Sequence, residues 1–534
     1  MAVTRVNGVA CLIVAGVALM VRSATAAPAA GPAESPFRKQ ALEESARPIR
    51  PGVPGERPFW NVAARRFIYA PAFDFEEVEG AAVYRFTLKA AGKTLTFQAE
   101  RPWAPLSPVW RDVPVAIVSL TVEGLDTDGK VVGRAGTRKF YRAAVYAGPY
   151  RKPKRPYREA ARLAMRWLYR QKHVQAWKTT GKPDHGYALY CYPSKIVGAV
   201  IRGMTLYAKL APEHKADALA IANKAVDYLI AKAQPADGAL PFFPPTYEGT
   251  AHTAGKFRGQ IMTSYPAALA DAYLTLYDET KDGRLLAQAR GIAETYRKTQ
   301  LPSGTWYLKA WAKSGKPVAK NLLIPVGVVR LMERLQKDYG AAGYDACIEK
   351  AWQWILDNTL KDYYWEGQFE DVPLKGKYRN LTRGYPAAIA KHILDRHPDD
   401  ARWVAEAEDC IRFCEDQFVV WEKPGSILRR RGGWFLPCAL EQYHYYEAID
   451  SSVCSMINAY GRAYQVTGKT IYRAKAEDLA NTLTAAQDPR TGVIPTVLKG
   501  GRGGKGLWLN CLVNDAHTLL RFDEVLRGTP GRKP

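Results

Sequence analysis

Tyr265-Pro266-Ala267-Ala268-Leu269-Ala270 opens an apolar, alanine-rich stretch, and starts of the same kind recur at Tyr192-Pro193, Ile324-Pro325 and Tyr385-Pro386. These starts lie 73, 59 and 61 residues apart, an internal period with proline placed where a helix begins. Proline suits that place because its missing N–H has no intrahelical partner to lose. Each opening helix runs into a short turn, as at Leu210-Ala211-Pro212-Glu213 or Lys281-Asp282-Gly283, then into a more amphipathic helix and a long loop. Repeats of this kind cannot bury their apolar faces alone, so they are expected to close around a shared core.

Working outward, helix-period patterns predict helices near 156–172, 193–210, 214–234, 266–279, 283–299, 323–338, 343–359, 386–396, 400–418, 450–467, 470–486 and 508–527, which form six pairs. The basic, proline-stiffened stretch Tyr150-Arg151-Lys152-Pro153-Lys154-Arg155-Pro156 marks where this pattern begins. Upstream of it, short alternating runs read as half-buried strands: Arg66-Phe67-Ile68-Tyr69, Val83 to Leu88, Thr94 to Phe97 and Val115 to Val122. Asp126-Thr127-Asp128-Gly129 reads as a hairpin turn. Residues 28–56, rich in Pro, Ala, Gly and charge without a sustained period, read as a flexible linker. Residues 1–27, with Arg5, an apolar run from Val9 to Val21 and Ser23-Ala24-Thr25-Ala26-Ala27, have the layout of a secretory signal. The expectation is a secreted or periplasmic protein, with no membrane association once the signal is removed.

With 534 residues, 47% of them hydrophobic, the chain can build a full core, which excludes a disordered or disulfide-stapled mini-protein. Beyond the signal, Cys191, Cys347, Cys410, Cys414, Cys438, Cys454 and Cys511 are scattered without a CxxC pair. This argues against a disulfide framework or a zinc ribbon, and neither a metal nor a cofactor is expected. The net charge of +24 raises the expectation of an anionic partner. No nucleic-acid module is recognisable, and export also counts against nucleic acid.

The helical hairpins with Ala-rich inner helices, the Tyr-Pro starts and loops such as Pro302-Ser303-Gly304-Thr305-Trp306-Tyr307 resemble the (α/α)6 toroids of glycoside hydrolases, polysaccharide lyases and uronate epimerases. The likeness covers residues 155–528, and residues 57–147 resemble a fibronectin type III-like β-sandwich. The expected fold is therefore mainly α, an (α/α)6-type toroid preceded by a small β-sandwich. What the resemblance implies for function is carbohydrate chemistry at one mouth of the toroid.

In such an arrangement the long loops 235–264, 300–322, 360–384, 419–449 and 487–507 converge on one end, together with the helix N-termini. These loops concentrate the cations: Lys309, Lys313, Lys316 and Lys320; Lys375, Lys377, Arg379 and Arg383; Arg429, Arg430 and Arg431; Lys499, Arg502 and Lys505. They also carry aromatic residues suited to stacking on sugars, among them Trp306, Trp365, Tyr445 and Tyr446. A solvated basic rim fits the same charges, whereas the functional reading is an acidic glycan as substrate.

For a uronate polymer the accessible chemistry is removal of the C5 proton followed by β-elimination, which needs a carboxylate neutraliser, a base and an acid. His252, Arg258 and Tyr265 share one loop ending at a helix start, and Asn380, Arg383 and Tyr385 repeat the arrangement two hairpins later. Similarity to toroidal uronate lyases implies Tyr265 as base or acid, His252 as its partner and Arg258 as helper. No Asn-Asn-His motif is present, which leaves the neutraliser unassigned, and Tyr265 and Tyr385 equally fit packing at equivalent helix starts. The segment Glu441-Gln442-Tyr443-His444-Tyr445-Tyr446-Glu447 is the densest polar-aromatic cluster, with His444 as a second proton-transfer group or neutraliser and Glu441 contacting substrate.

The alternative is glycoside hydrolysis of the six-hairpin type, which needs two carboxylates, with Glu248, Glu366, Glu370, Asp371, Glu441, Glu447 and Asp450 on or near the same loops. Epimerisation shares the first proton abstraction. A noncatalytic glycan-binding protein would use the same basic, aromatic face without acid–base groups.

Overall fold

The computed structural model describes residues 35–51, 60, 63–372, 378–424, 433–443, 445–499 and 507–528. The signal-like segment, His444 and the loop cations Lys375, Lys377, Arg429, Arg430, Arg431, Arg502 and Lys505 lie outside these residues.

Helix α1 (Pro36–Ser45) precedes a five-stranded sheet of β1 (Arg66–Phe67), β2 (Val83–Ala90), β3 (Lys93–Ala99), β4 (Ile117–Leu125) and β5 (Val131–Arg142), with the turn α2 (Ser107–Trp110) between β3 and β4. The order is β1-β5-β4-β2-β3; β1 runs parallel to β5 and the other pairs are antiparallel, with Phe86 opposite Phe97 and Val122. Alternation places Tyr84, Phe86, Leu88 and Ala90 on the buried face and leaves Arg85, Thr87 and Lys89 less covered. The strands expected to form a two-layer sandwich instead make one sheet among the described residues, and the fibronectin-type resemblance is not confirmed. Arg66-Phe67-Ile68-Tyr69 pairs over only two residues, and Phe67, Phe73 and Trp110 pack beside Phe140 on the buried face.

The segment read as a flexible linker is also ordered in part. Ser35 donates to the Gly148 carbonyl at 2.5 Å, Arg142 donates to Ser45 at 3.2 Å, and Ala41 and Ile49 are buried.

From Tyr157 onward the chain is helical: α3 (Tyr157–Tyr169), α4 (Lys172–Thr180), α5 (Pro193–Leu210), α6 (Lys215–Lys232), α7 (Tyr265–Thr280), α8 (Gly283–Thr299), α9 (Val326–Tyr339), α10 (Asp345–Trp354), α11 (Gly384–Arg396), α12 (Ala401–Phe418), α13 (Asp450–Thr467), α14 (Thr470–Ala486) and α15 (Leu509–Arg527). The inner helices α5, α7, α9, α11, α13 and α15 touch in that order, and α15 returns to α5, so the ring is closed. Each inner helix packs on the outer helix that follows it, except α15, whose outer partner is α3 from the start of the domain. This is an (α/α)6 toroid.

Apolar side chains fill the space between the rings, with Ile196, Val200, Leu269, Val329, Ile389, Ile457 and Leu512 on inner helices and Leu229, Ile292, Ile411 and Leu479 on outer ones. The inward faces of the inner helices are different. Ala268, Asp271, Gly327 and Arg330 are solvent-exposed although they belong to the inner ring, so the toroid keeps an open channel along its axis. None of the described helices is long and apolar enough to cross a membrane.

Candidate active site

Proline at the first position of α5 starts that helix so that Lys195 falls in its opening turn, at the mouth of the channel. The Lys195 ammonium lies 2.6 Å from Glu370 Oε1 and 4.3 Å from the centre of the Trp508 ring. Glu370, in the loop between α10 and α11, is fully buried. The Tyr265 hydroxyl, at the first residue of α7, donates to Glu370 Oε2, and the Tyr247 hydroxyl donates to the Glu370 carbonyl at 3.0 Å. Burial alone would raise the Glu370 carboxyl, but Lys195 and Tyr265 outweigh it and hold the group below its ordinary range. The pairing with Glu370 lifts Lys195 despite its burial. Tyr265 is pushed well above its ordinary range by burial and by the Glu370 charge.

The neighbouring Asp371 responds in the opposite sense to Glu370. Burial raises it first, and the charge on Glu370 adds to the rise. Glu441, before α13, is also raised by burial, while Arg383 and Lys195 counter the shift. Arg383 caps the start of α11; it is buried, donates to Thr382 Oγ1 at 3.1 Å and has no hydrogen-bond partner on Nε. Burial lowers its pKa and Glu441 opposes the fall. Thr382 donates to the Glu441 carbonyl at 2.9 Å, which ties the two loops together. Arg383, Tyr385, Thr382, Gln368 and Ser264 line a cleft of about 280 Å³ at this end of the channel.

One wall of the mouth is the small sheet of β6 (Gln260–Met262) and β7 (Lys309–Trp311), which joins two long loops. Lys309 sits over Phe257 at 4.0 Å, and its pKa is lowered by burial, with Glu370 and Asp371 opposing. Among the described residues Lys256, Arg258, Lys309, Lys313, Lys316 and Lys320 form no ion pair, and Trp311 beside them is 44% exposed. An exposed aromatic face within unneutralised cations can hold a flat, anionic ligand.

Of the residues expected from sequence, Arg383 and Tyr385 line this cleft, Tyr265 meets Glu370, and Glu441 is close enough to Arg383 and Lys195 to feel their charge. Asn380 is buried beside them and donates to Gln442 at 2.8 Å, a structural link between loops. His252 is exposed at the rim in a left-handed backbone conformation (φ 50°), its ring 6.3 Å from that of Tyr192, and it is close enough to Asp371 to oppose that group's upward shift. Arg258 and Arg379 are exposed. Arg258 reaches the Gly249 carbonyl at 3.5 Å and makes no bond to Tyr265.

Trp306 and Trp365 are core residues. Trp306 donates to the Tyr296 carbonyl, and Trp365 packs on Tyr363 and Phe413. A ring without an exposed face cannot stack on a sugar, so these two do not serve as platforms. Tyr446 donates to the Gln417 carbonyl at 2.8 Å, on the side of the N-terminal sheet, and Tyr445 is 42% exposed.

Lys195 and Tyr247 escaped the sequence reading. A lysine two positions after a helix-opening proline, at the start of a largely apolar helix, was the signal available for Lys195. A second carboxylate pair also emerges, formed by Asp450, the first residue of α13, and Asp515 on α15. Both are fully buried, each leaves its Oδ2 without a hydrogen-bond partner, and Cys454 lies 3.1 Å from Asp515 Oδ1. Burial raises both carboxyl groups. Among the described residues no group of His, Cys, Asp and Glu has the arrangement of a metal site.

No protein-family model and no curated protein matches the chain. Among solved structures, a family 76 glycoside hydrolase from a bovine Bacteroides thetaiotaomicron strain aligns at 11% identity and a TM-score of 0.48, over 87% of this chain and 98% of the other. A cellobiose 2-epimerase from Spirochaeta thermophila aligns at 11% identity and 0.48, over 69% and 98%. An unsaturated glucuronyl hydrolase specific for heparin aligns at 11% identity and 0.43, over 70% and 98%.

Proposed function

We propose that this protein is an exported carbohydrate-active enzyme that cleaves glycosidic bonds in an anionic glycan, with Asp371 and Glu441 as its pair of working carboxyl groups. The observation that carries the reading is the meeting of these two carboxyl groups, both raised by burial, in one partly desolvated mouth. Asp371 is raised by burial and by ionised Glu370, with Lys195 and His252 opposing, and its own charge adds to the rise at Glu441. Glu441 is raised by burial but stands near Arg383 and Lys195, which favour its ionised form. Hydrolysis needs two carboxyl groups, one protonated as acid and one ionised as base or nucleophile. Glu370 is the positioning residue, since its charge is committed to Lys195 and Tyr265. The cations of the β6–β7 wall and Arg383 supply the attraction for uronate or sulfate groups.

Elimination is the second reading, favoured by the Tyr265 phenol at the centre of the mouth. With its pKa raised, Tyr265 would act there as the acid, and exposed His252 would have to take the C5 proton. The test is incubation of the purified protein with alginate, glucuronan, pectate and glycosaminoglycans, following both new reducing ends and the ultraviolet absorbance of unsaturated uronates. New ends without absorbance support hydrolysis, and Asp371→Asn should then lower kcat by about 100-fold while Tyr265→Phe keeps most of it. Absorbance rising with the new ends, abolished in Tyr265→Phe, would replace hydrolysis with elimination.

A further inference from the structure

A second cavity of about 370 Å³ lies among the inner helices, lined by Arg330 of α9, Lys391 and Asp395 of α11, Asn458 and Arg462 of α13, and Arg521 and Glu524 of α15. Arg330 lines both this cavity and the mouth cleft. The charges here are unevenly matched. Asp395 is shared between Lys391 and Arg462, 2.8 Å from Arg462 Nε. Arg330 and Arg521 form no ion pair among the described residues, and Glu524 is the remaining carboxylate on the wall.

We propose that this cavity is a binding site for a small oxyanion, of the sulfate, phosphate or carboxylate class, held by Arg330 and Arg521 with Lys391 and Arg462. Four helices deliver cationic side chains to one space, where like charges repel unless a counter-charge enters. The mutual effect is visible in the surrounding groups: Lys391 is lowered by burial and further by Arg330 and Arg521, and His517 by burial and then by Arg202 and Arg521. Guanidinium groups suit an oxyanion because their planar N–H forks match its oxygen spacing.

The same chemistry can come from a free inorganic ion or from an acidic group on the glycan that has entered the channel past the mouth. Only the second source rests on the function proposed above. The test is calorimetric titration of the full-length protein with sodium sulfate at constant ionic strength, beside Arg330→Gln, Arg521→Gln and Lys224→Gln, a variant of an exposed lysine on outer helix α6. One saturable site is expected, weakened about tenfold or more by either channel substitution and unaltered by Lys224→Gln. Absence of saturable binding, or equal weakening by Lys224→Gln, would overturn the proposal. Since both arginines are exposed in the channel, their variants are expected to fold, which circular dichroism checks. With a cleaved glycan in hand, competitive inhibition by sulfate that Arg521→Gln relieves assigns the site to the glycan's own anionic group. Sulfate binding without inhibition assigns it to a free ion. If no glycan is cleaved, the titration still decides whether the site exists.

Discussion

Glu370 accepts from Lys195 and Tyr265 at a position closed to water, so partners and not solvent hold its charge. Glu370→Gln leaves the Lys195 ammonium largely desolvated without a counter-charge, and breaking such a pair costs about 3 kcal/mol. The urea midpoint at neutral pH is expected to fall accordingly. Because the folded carboxyl is held below its ordinary range, its stabilisation is complete above that range and is lost as pH falls through the lowered folded value. The difference between wild type and Glu370→Gln should therefore shrink in acid. Asp450 and Asp515 behave the other way. Their folded forms bind protons more tightly than the unfolded chain, so stability falls as pH rises above the ordinary aspartate range until the raised folded values are passed. Asp515→Asn mimics the protonated acid and is expected to flatten the decline in stability between about pH 5 and about pH 7, measured by urea unfolding at each pH. At this scale the sequence exposed residue types but not environments. Tyr265 was recognisable as a proton-transfer candidate, yet whether cations lower its pKa or a carboxylate raises it depends on Glu370, which is 105 residues away.

Helix starts were readable because their cause is local. Pro193, Pro266 and Pro386 lie in the first turns of α5, α7 and α11, and Asp282 and Asp400 cap α8 and α12 by accepting from Arg284 and Arg402 N–H groups at 3.0 and 2.9 Å. The helices missing from the sequence reading, α1, α2 and α4, are short and bury few side chains, so their periodicity is faint. The strand runs were legible, but a single sheet and a sandwich share the same alternation, and only the partner facing Phe86, Leu120 and Phe140 distinguishes them. Loop geometry is tighter than composition suggests. Gly304, at φ 96°, lies so close to α10 that an added Cβ would collide with the Lys350 backbone carbonyl. Gly304→Ala is expected to destabilise by about 3 kcal/mol, read as a lower thermal midpoint.

At the scale of the molecule, the N-terminal sheet is joined to the toroid through α12. Asp416 is fully buried and accepts from the Ile68 and Tyr69 N–H groups at 2.5 and 2.8 Å, while Gln417 donates to the Arg66 carbonyl at 2.9 Å. Asp416→Ala strands two buried donors, so a loss of about 2 to 4 kcal/mol is expected, together with earlier proteolysis of the N-terminal sheet than of the toroid. The helices, their order, the basic character of the loops and the expectation of a closed ring follow from periodicity, proline placement and composition, which act over a few residues. Ring closure by α3 against α15, the hollow axis, and the meeting of Lys195, Glu370, Asp371, Arg383 and Glu441 do not. These groups come from different hairpins, and their ionisation is governed by burial and by distances across the mouth. Such quantities exist only once the helices have packed, so the chemistry at the mouth is a property of the assembled toroid.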